Sequence, residues 1–417
     1  MAKVKWLNYD VDEGAVRRKL GAMVSRQSAE NDLTFDKLQT IYLFLTRRCN
    51  LACQHCYIEG VGPARDDDFD LPAIRKMIEQ ALPHGLKKVK VSGGEPFVRD
   101  DALDVLKYLD SLNLEVVLET NGTLFDDDTV EQLCALKDFT IFVSLDHADI
   151  KKHDEFRGLA GAYNRTVKTL KELGQTEIKS VVTTTANRQN YADVVEIADM
   201  VLDWGIKQHR TLLNIHPLGN ARGHLDNAIT MEEAEVLIGS LIESRHFKSG
   251  RSYMTLPPAL MPLEMLQDLH SCGWGNNVIG VLSTGEISMC SASYDDQAMI
   301  GGNAFEEDLI EIWAHGDFFR NLREVGKGRV KGVCGNCIFY AACRGVCRMS
   351  SYSHYGEVDA PYPLCQEVYN RGAFPQYALV DPDIDCHYGN EVIKTTRQEH
   401  PAKLVKLTST RKAAVLR

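Results

Sequence analysis

Between residues 39 and 220 the chain alternates strand-like and helix-like stretches without a break, and this restricts the possible folds more than any other feature. "TIYLFLT" is apolar and β-branched, "LPAIRKMIEQALPHG" repeats its apolar residues at helical spacing, and "KKVKVSGGEP" is a strand running into glycines. "DALDVLKYLDSLN", "LEVVLETNG", "DDDTVEQLCALKD", "FTIFVSLD", "AYNRTVKTLKELG", "IKSVVTTTAN", "YADVVEIADMVLDWG" and "RTLLNIHPLG" continue the pattern. Six strands separated by helices predict right-handed βαβ units and hence a parallel α/β sheet. Such sheets gather functional groups beyond the carboxyl ends of their strands.

The unusual residues fall at those ends. Cys49, Cys53 and Cys56 follow the first strand, and Gly93, Gly94, Glu95 and Pro96 follow the second. Glu119 to Gly122 follow the third, and Ser144 to Asp146 the fourth, so the chain is expected to build one mouth from four turns. No apolar run approaches the roughly 20 residues of a membrane span, and "MAKVKWLNYDVDEG" has no signal-peptide core, which predicts a cytoplasmic protein. A net charge of -11 argues against nucleic-acid binding. The basic stretch from Glu391 to Arg417, seven Lys or Arg against two Glu, reads as a solvated helix end. Twelve cysteines in a reducing compartment point to metal or redox chemistry rather than disulfides.

The first cysteine group, C-x-x-x-C-x-x-C, offers three soft thiolates from one loop. A structural zinc site closes with four ligands, whereas a 4Fe-4S cluster on three cysteines keeps one iron open. His55 would complete a zinc site as the alternative, although it lies between two of the ligands. The spacing, with Tyr57 after it and the Gly-Gly-Glu-Pro turn on the next strand, resembles the radical S-adenosylmethionine (SAM) superfamily. The resemblance implies a partial (β/α)6 barrel and a 4Fe-4S cluster on Cys49, Cys53 and Cys56 that chelates SAM by its amino and carboxylate groups. Reductive cleavage of SAM would then give a 5′-deoxyadenosyl radical that takes a hydrogen atom from substrate. It also implies SAM contacts from Gly93, Gly94, Glu95 and Pro96, where carbonyls approach the amino group and Glu95 adds charge. Ser144 and Arg157 would meet the ribose or methionyl carboxylate; a helix cap and a surface ion pair are their plainer readings. Asn121 and Asn190 are further candidates, though asparagine is common in turns.

From Ser271 the texture changes to short strands, turns and cysteines, with "VIGVLSTGEISMC" predicting a hairpin that turns at Gly285. Seven cysteines between Cys272 and Cys365 resemble the SPASM extension of radical SAM enzymes, which binds two auxiliary 4Fe-4S clusters. By that resemblance auxiliary cluster I takes Cys272, Cys290 and Cys347, and auxiliary cluster II takes Cys334, Cys337, Cys343 and Cys365, making three clusters in all. "CGWGNNVIG" offers no further cysteine, so cluster I either keeps an open iron or takes water, a backbone group or a side chain. A zinc ribbon on Cys334, Cys337, Cys343 and Cys347 would leave three spaced cysteines unexplained. Cys134 and Cys386 stand apart and read as a buried small hydrophobe or a surface thiol.

The expected organisation is an N-terminal segment over 1–38, the barrel over 39–225, a helical bridge over 226–270, the SPASM domain over 271–370 and a basic tail over 371–417. SPASM enzymes mostly modify peptides or proteins, which implies a precursor peptide as substrate and flavodoxin or ferredoxin as reductant. The leader would bind a separate protein or dock on the barrel and bridge. The open auxiliary iron favours thioether formation. Sulfatase maturases place an acidic base directly after the second SPASM cysteine; Ser291 stands there, with Asp295 and Asp296 further on. Formylglycine formation is therefore the alternative, as is a small-molecule radical SAM oxidoreductase, for example in tetrapyrrole chemistry; a non-catalytic iron-sulfur or zinc protein is the outsider. Tyr294, Asp295, His216 and Arg222 lie near segments expected to line the cavity.

Overall fold

The computed structural model describes residues 37–58, 69–261, 272–293, 296–327 and 330–389, together with Gly14. Most of the N-terminal segment, Tyr294, Asp295 and the basic residues from Glu391 onward lie outside them. The six expected strands are present: β1 (Thr40–Phe44), β2 (Lys88–Ser92), β3 (Glu115–Thr120), β4 (Phe139–Ser144), β5 (Lys179–Thr185) and β6 (Gln208–Leu212). They pair in parallel, each with the next.

The connecting helices form for local reasons. Asp70 accepts the Ala73 N–H at 2.9 Å and so caps the helix Leu71–Ala81, which begins on a proline and buries Ile74, Met77, Ile78 and Ala81 along one stripe. The strands meet such helices with one face only. Ile41, Leu43, Val89, Val91, Val116, Leu118, Ile141 and Val143 belong to the core under the helices, each side chain contributing about 1.5–3 kcal/mol by leaving water. Tyr42, Lys90, Glu119, Phe142 and Arg210 line the opposite side of the sheet, around a cavity.

Two additions extend the six-stranded core. β7 (Ser252–Met254) runs parallel to β6 within the segment expected to be wholly helical, whose helix is Met231–Glu243. Three residues are too few for a period-two pattern to register in the sequence. The hairpin of β8 (Val278–Val281) and β9 (Glu286–Ser288) turns at Gly285 as expected, with φ +81°, and β10 (Ile300–Asn303) pairs antiparallel to β9. β8 also pairs in parallel with β1, aligning Tyr42 with Gly280. The result is one ten-stranded sheet in the order β10-β9-β8-β1-β2-β3-β4-β5-β6-β7.

β1 thus joins the barrel to the cysteine-rich segment. Leu43→Ala, at a site 1% exposed on β1, is expected to lower the unfolding free energy by about 2–5 kcal/mol. Urea transitions followed separately by Trp204 in the barrel and Trp313 beyond β10 should move together; independent transitions would contradict a shared sheet.

Candidate active site

The cysteine loop after β1 is held from three sides by main chain. The N–H of Gly94 donates to the Thr46 carbonyl and that of Glu95 to the Arg48 carbonyl, both at 2.8 Å. A Cβ on Gly93 would stand 2.4 Å from the Thr46 oxygen and one on Gly94 2.0 Å from the Arg48 oxygen, and Gly93 has φ +128°. Only glycine allows that approach and that conformation. From the helix Ile150–Arg157, the carbonyls of Arg157 and Phe156 accept from Ala52 and Gln54 at 3.1 and 3.0 Å. The Cys56 carbonyl accepts from Ala221 at 3.0 Å.

Held in this way, Cys49, Cys53 and Cys56 line a cavity of about 420 Å³ together with Gly93, Gly94, Asn121, Ser144 and Arg157. Arg157 is 6% exposed and pairs with the fully buried Asp146 at 2.6 Å, while its Nη1 donates to the Cys53 sulfur at 3.6 Å. Burial works to raise the Asp146 carboxyl, and Arg157 together with His55, His153 and the Thr185 N–H outweighs this and holds it below the usual carboxylate range. Asp146 also accepts the Thr185 N–H at 2.8 Å, and Asn190 donates to the Asp146 carbonyl at 2.7 Å, which makes Asn190 a buried strut.

Glu95 is turned into the end of β3. Its carboxylate accepts from the Asn121 N–H at 2.7 Å, the Thr120 hydroxyl at 2.8 Å and the Phe97 N–H at 3.2 Å. Glu95 and Pro96 are buried, and the cavity wall at this turn consists of Ser92, Gly93 and Gly94. The Glu95 carboxyl thus holds the Asn121 turn. His55 lies on the wall with its ring stacked on Phe156 at 4.8 Å, and burial pushes its pKa down to about 4. His216 also reaches the wall, edge-on to Tyr57.

Two residues nearer the strand origins lies a charged layer that sequence reading passed over. Lys90 and Arg210 both address Glu119, with nitrogen-to-oxygen distances of 2.6 and 3.5 Å, and Ser92 donates to the other carboxylate oxygen at 3.1 Å. Lys90 stands over the Tyr42 ring at 5.0 Å and Arg210 over the Phe142 ring at 4.6 Å. The signal was available: inward positions of buried parallel strands normally read apolar, and these do not.

The same cavity is lined by Cys272, Cys290 and Cys347. Burial pushes the Cys272 thiol up to about 11, as does Cys347 nearby, and Lys90 draws it part of the way back. A separate small cavity is lined by Cys334, Cys337, Cys343 and Cys365. The structure thus collects the seven cysteines into sets of three and four. Tyr362 lines both cavities; its N–H donates to the Cys334 sulfur at 3.3 Å and its hydroxyl accepts from Asn214 at 2.5 Å. Arg348, fully buried, fastens the loop between them by bonds to the carbonyls of Ala360 at 2.7 Å and Gly345 at 2.8 Å. None of the twelve cysteines is in a disulfide; Cys134 is exposed and Cys386 buried. Among the described residues, no three His, Cys, Asp or Glu side chains are grouped closely enough to surround a single metal ion.

The donor sets fit iron-sulfur chemistry: soft thiols in threes and a four, with a glycine turn open at the first group. A barrel with its cysteines at this mouth and a second cysteine-rich segment on the same sheet defines a radical SAM superfamily enzyme with a SPASM iron-sulfur cluster-binding domain. The Radical SAM superfamily model matches residues 43–201, and the SPASM iron-sulfur cluster-binding model matches residues 272–338.

Among curated proteins, the AdoMet-dependent heme synthase of Methanosarcina barkeri is 26% identical over 77% of this chain and 94% of its own. The mycofactocin maturase MftC of Mycobacterium tuberculosis is 25% identical over 84% of this chain and 88% of its own. Among solved structures, Streptococcus suis SuiB bound to its precursor peptide SuiA superposes with a TM-score of 0.63 at 18% identity, over 82% of this chain and 79% of that one. These structures share the fold. Among the described residues, no helix is long and apolar enough to cross a membrane.

Gly94→Ala is expected to cost about 1–3 kcal/mol through the forced contact with Arg48, and to lower iron bound per chain after anaerobic reconstitution. Full iron content would show that the loop does not depend on this contact. Burial pushes Glu95 up to about 7 against the hydrogen bonds that lower it. A carboxyl whose folded pKa exceeds its unfolded value binds more protons when folded, so its contribution to stability falls as pH rises from about 4.5 to about 7. Wild type should therefore lose about 3 kcal/mol relative to Glu95→Gln between pH 4.5 and pH 7.5, read from paired urea curves.

Proposed function

We propose that this chain is a maturase that modifies a ribosomally made precursor peptide by hydrogen abstraction. The observation that carries the reading is that two three-cysteine groups line one cavity, with the barrel interior available between them. Cys49, Cys53 and Cys56 would hold the SAM cluster; Cys272, Cys290 and Cys347 auxiliary cluster I; and Cys334, Cys337, Cys343 and Cys365 auxiliary cluster II. Bound SAM and its cluster supply the 5′-deoxyadenosyl radical, and electrons come from flavodoxin or ferredoxin.

The chain's own residues orient and shield. Gly93 and Gly94 bring backbone to the cofactor's edge, and Ser144 and Arg157 meet its polar groups. Arg157, fixed by Asp146, also supplies a donor to the Cys53 sulfur, and charge-assisted bonds of this kind are the strong ones. Tyr57 and His216 stand on the wall as apolar and aromatic cover. Thioether formation is the favoured reaction, because Cys134 and Cys386, the two cysteines outside the proposed cluster sets, line neither cavity and leave Cys272, Cys290 and Cys347 without a fourth thiol of their own. The leader segment would bind a separate protein or the barrel surface.

A tetrapyrrole substrate is the second reading, favoured by the match along 94% of a protein named AdoMet-dependent heme synthase. Co-expression with any short cysteine-bearing peptide found encoded beside the gene, followed by mass spectrometry, separates the two. Loss of two mass units per crosslink supports the maturase; an unchanged peptide together with turnover of an iron-coproporphyrin would replace it. Cys53→Ala is expected to abolish 5′-deoxyadenosine formation altogether. Cys347→Ala should abolish peptide modification while 5′-deoxyadenosine still forms, and retention of modification would remove the second cysteine group from the reaction.

A further inference from the structure

The charged layer between the two cysteine groups carries more positive charge than it neutralises. Among the described residues, this layer of the cavity wall presents Lys90 and Arg210 and the carboxylate of Glu119, and Arg157 lies nearer the mouth. Arg157 is met from behind the wall by Asp146. Lys90 and Arg210 share Glu119, and Lys90 holds the shorter contact, at 2.6 Å against 3.5 Å. The Nε of Arg210 is buried without a hydrogen-bond partner. The Arg210 side chain is about four-fifths buried and its guanidinium carbon stands over the Phe142 ring at 4.6 Å, which restrains it before any ligand arrives.

A desolvated cation that lacks a full counter-charge is costly, and a planar guanidinium edge with unused N–H groups matches a carboxylate in two parallel bonds. The register places this edge in the chamber. Arg210 aligns with Thr183 on β5 and with Tyr253 on β7, and Thr183 and Arg210 both line the cavity. Glu119 aligns with Phe142, two residues before the mouth residue Ser144. An anion held here lies below the SAM-side cysteines and on the same wall as Tyr42, which the Cys272 and Cys290 thiols influence.

We propose that Arg210, assisted by Lys90, binds a carboxylate of the substrate inside the barrel, so that the substrate is a carboxylate-bearing molecule anchored between the two cysteine groups. The proposal rests on the barrel interior being the substrate chamber. The carboxylate can come from a peptide C-terminus, an acidic side chain or a small-molecule acid; all three present the same group to Arg210.

The test uses the full chain, anaerobically reconstituted and loaded with SAM, in equilibrium dialysis against radiolabelled probes. The probes are N-acetyl-alanyl-alanine and its carboxamide, N-acetyl-glutamyl-alaninamide and its glutaminyl counterpart, and propionate and propionamide. At least tenfold tighter binding of the acid is expected in one or more pairs, lost in Arg210→Gln and partly kept in Arg210→Lys. The pair that discriminates identifies the source: C-terminus, side chain or small molecule. Equal binding within every pair overturns the site, as does an acid preference that Arg210→Gln leaves intact. The wild-type comparison needs no variant and stands even where Arg210→Gln fails to fold. Wild type that forms 5′-deoxyadenosine without acid preference overturns the carboxylate site alone. Acid preference confined to propionate supports the site and removes the peptide reading.

Discussion

Two backbone hydrogen bonds, from Gly94 to Thr46 and from Glu95 to Arg48, fix the loop on which the rest of the site depends. Each joins the turn after β2 to the turn after β1, and a side chain at either glycine would push the turns apart. Because the bonds are between main-chain groups, they set the path of the cysteine loop whatever its side chains do. Glu95 then ties the same turn to β3 by accepting from Asn121 and Thr120. Three successive strand ends are thereby locked together before any cofactor is considered.

The Arg157 and Asp146 pair shows how burial and chemistry are balanced at that mouth. Removing both charges from water costs several kcal/mol per ion in general, and close pairing with further hydrogen bonds is what offsets it. Asp146, fully buried, has its close pairing with Arg157 and one further bond, from the Thr185 N–H. The pair therefore contributes little net stability but a fixed direction. Arg157 presents one nitrogen to Cys53 and cannot swing away without stranding Asp146.

Much of this was legible in the sequence, and the exceptions have physical causes. The six strands and their order could be read because helices and buried strands carry different periods. The seven later cysteines were divided into three and four by resemblance to the SPASM ligand pattern, and the two cavities are lined by the same three and four. Three things were less visible. β7 is too short to show a pattern, and the pairing of β8 with β1 is made by main-chain atoms that leave no trace in residue identity. Glu95 was read from its motif as a group beside SAM, and its ties to the Asn121 and Phe97 N–H groups and the Thr120 hydroxyl could not be seen in residue identity. Lys90 and Arg210 were missed, and Glu119 was placed in the turn after β3 rather than within it, because attention within strands goes to burial rather than charge.

The β8 and β1 pairing changes what the second cysteine segment can do. A domain tethered by a linker would bring its thiols near the barrel only part of the time. Here Cys272 and Cys290 flank a hairpin whose first strand is hydrogen-bonded to β1, so their distance from the first group is set by sheet geometry rather than by diffusion. Tyr362 extends the same logic to the four-cysteine set. It forms a wall of both cavities, and it is anchored to the barrel by Asn214 and to Cys334 by its own N–H. A chain built this way holds the two cysteine groups at opposite ends of one chamber without moving a domain. The rigidity that keeps those ends apart is the same sheet that keeps them aligned.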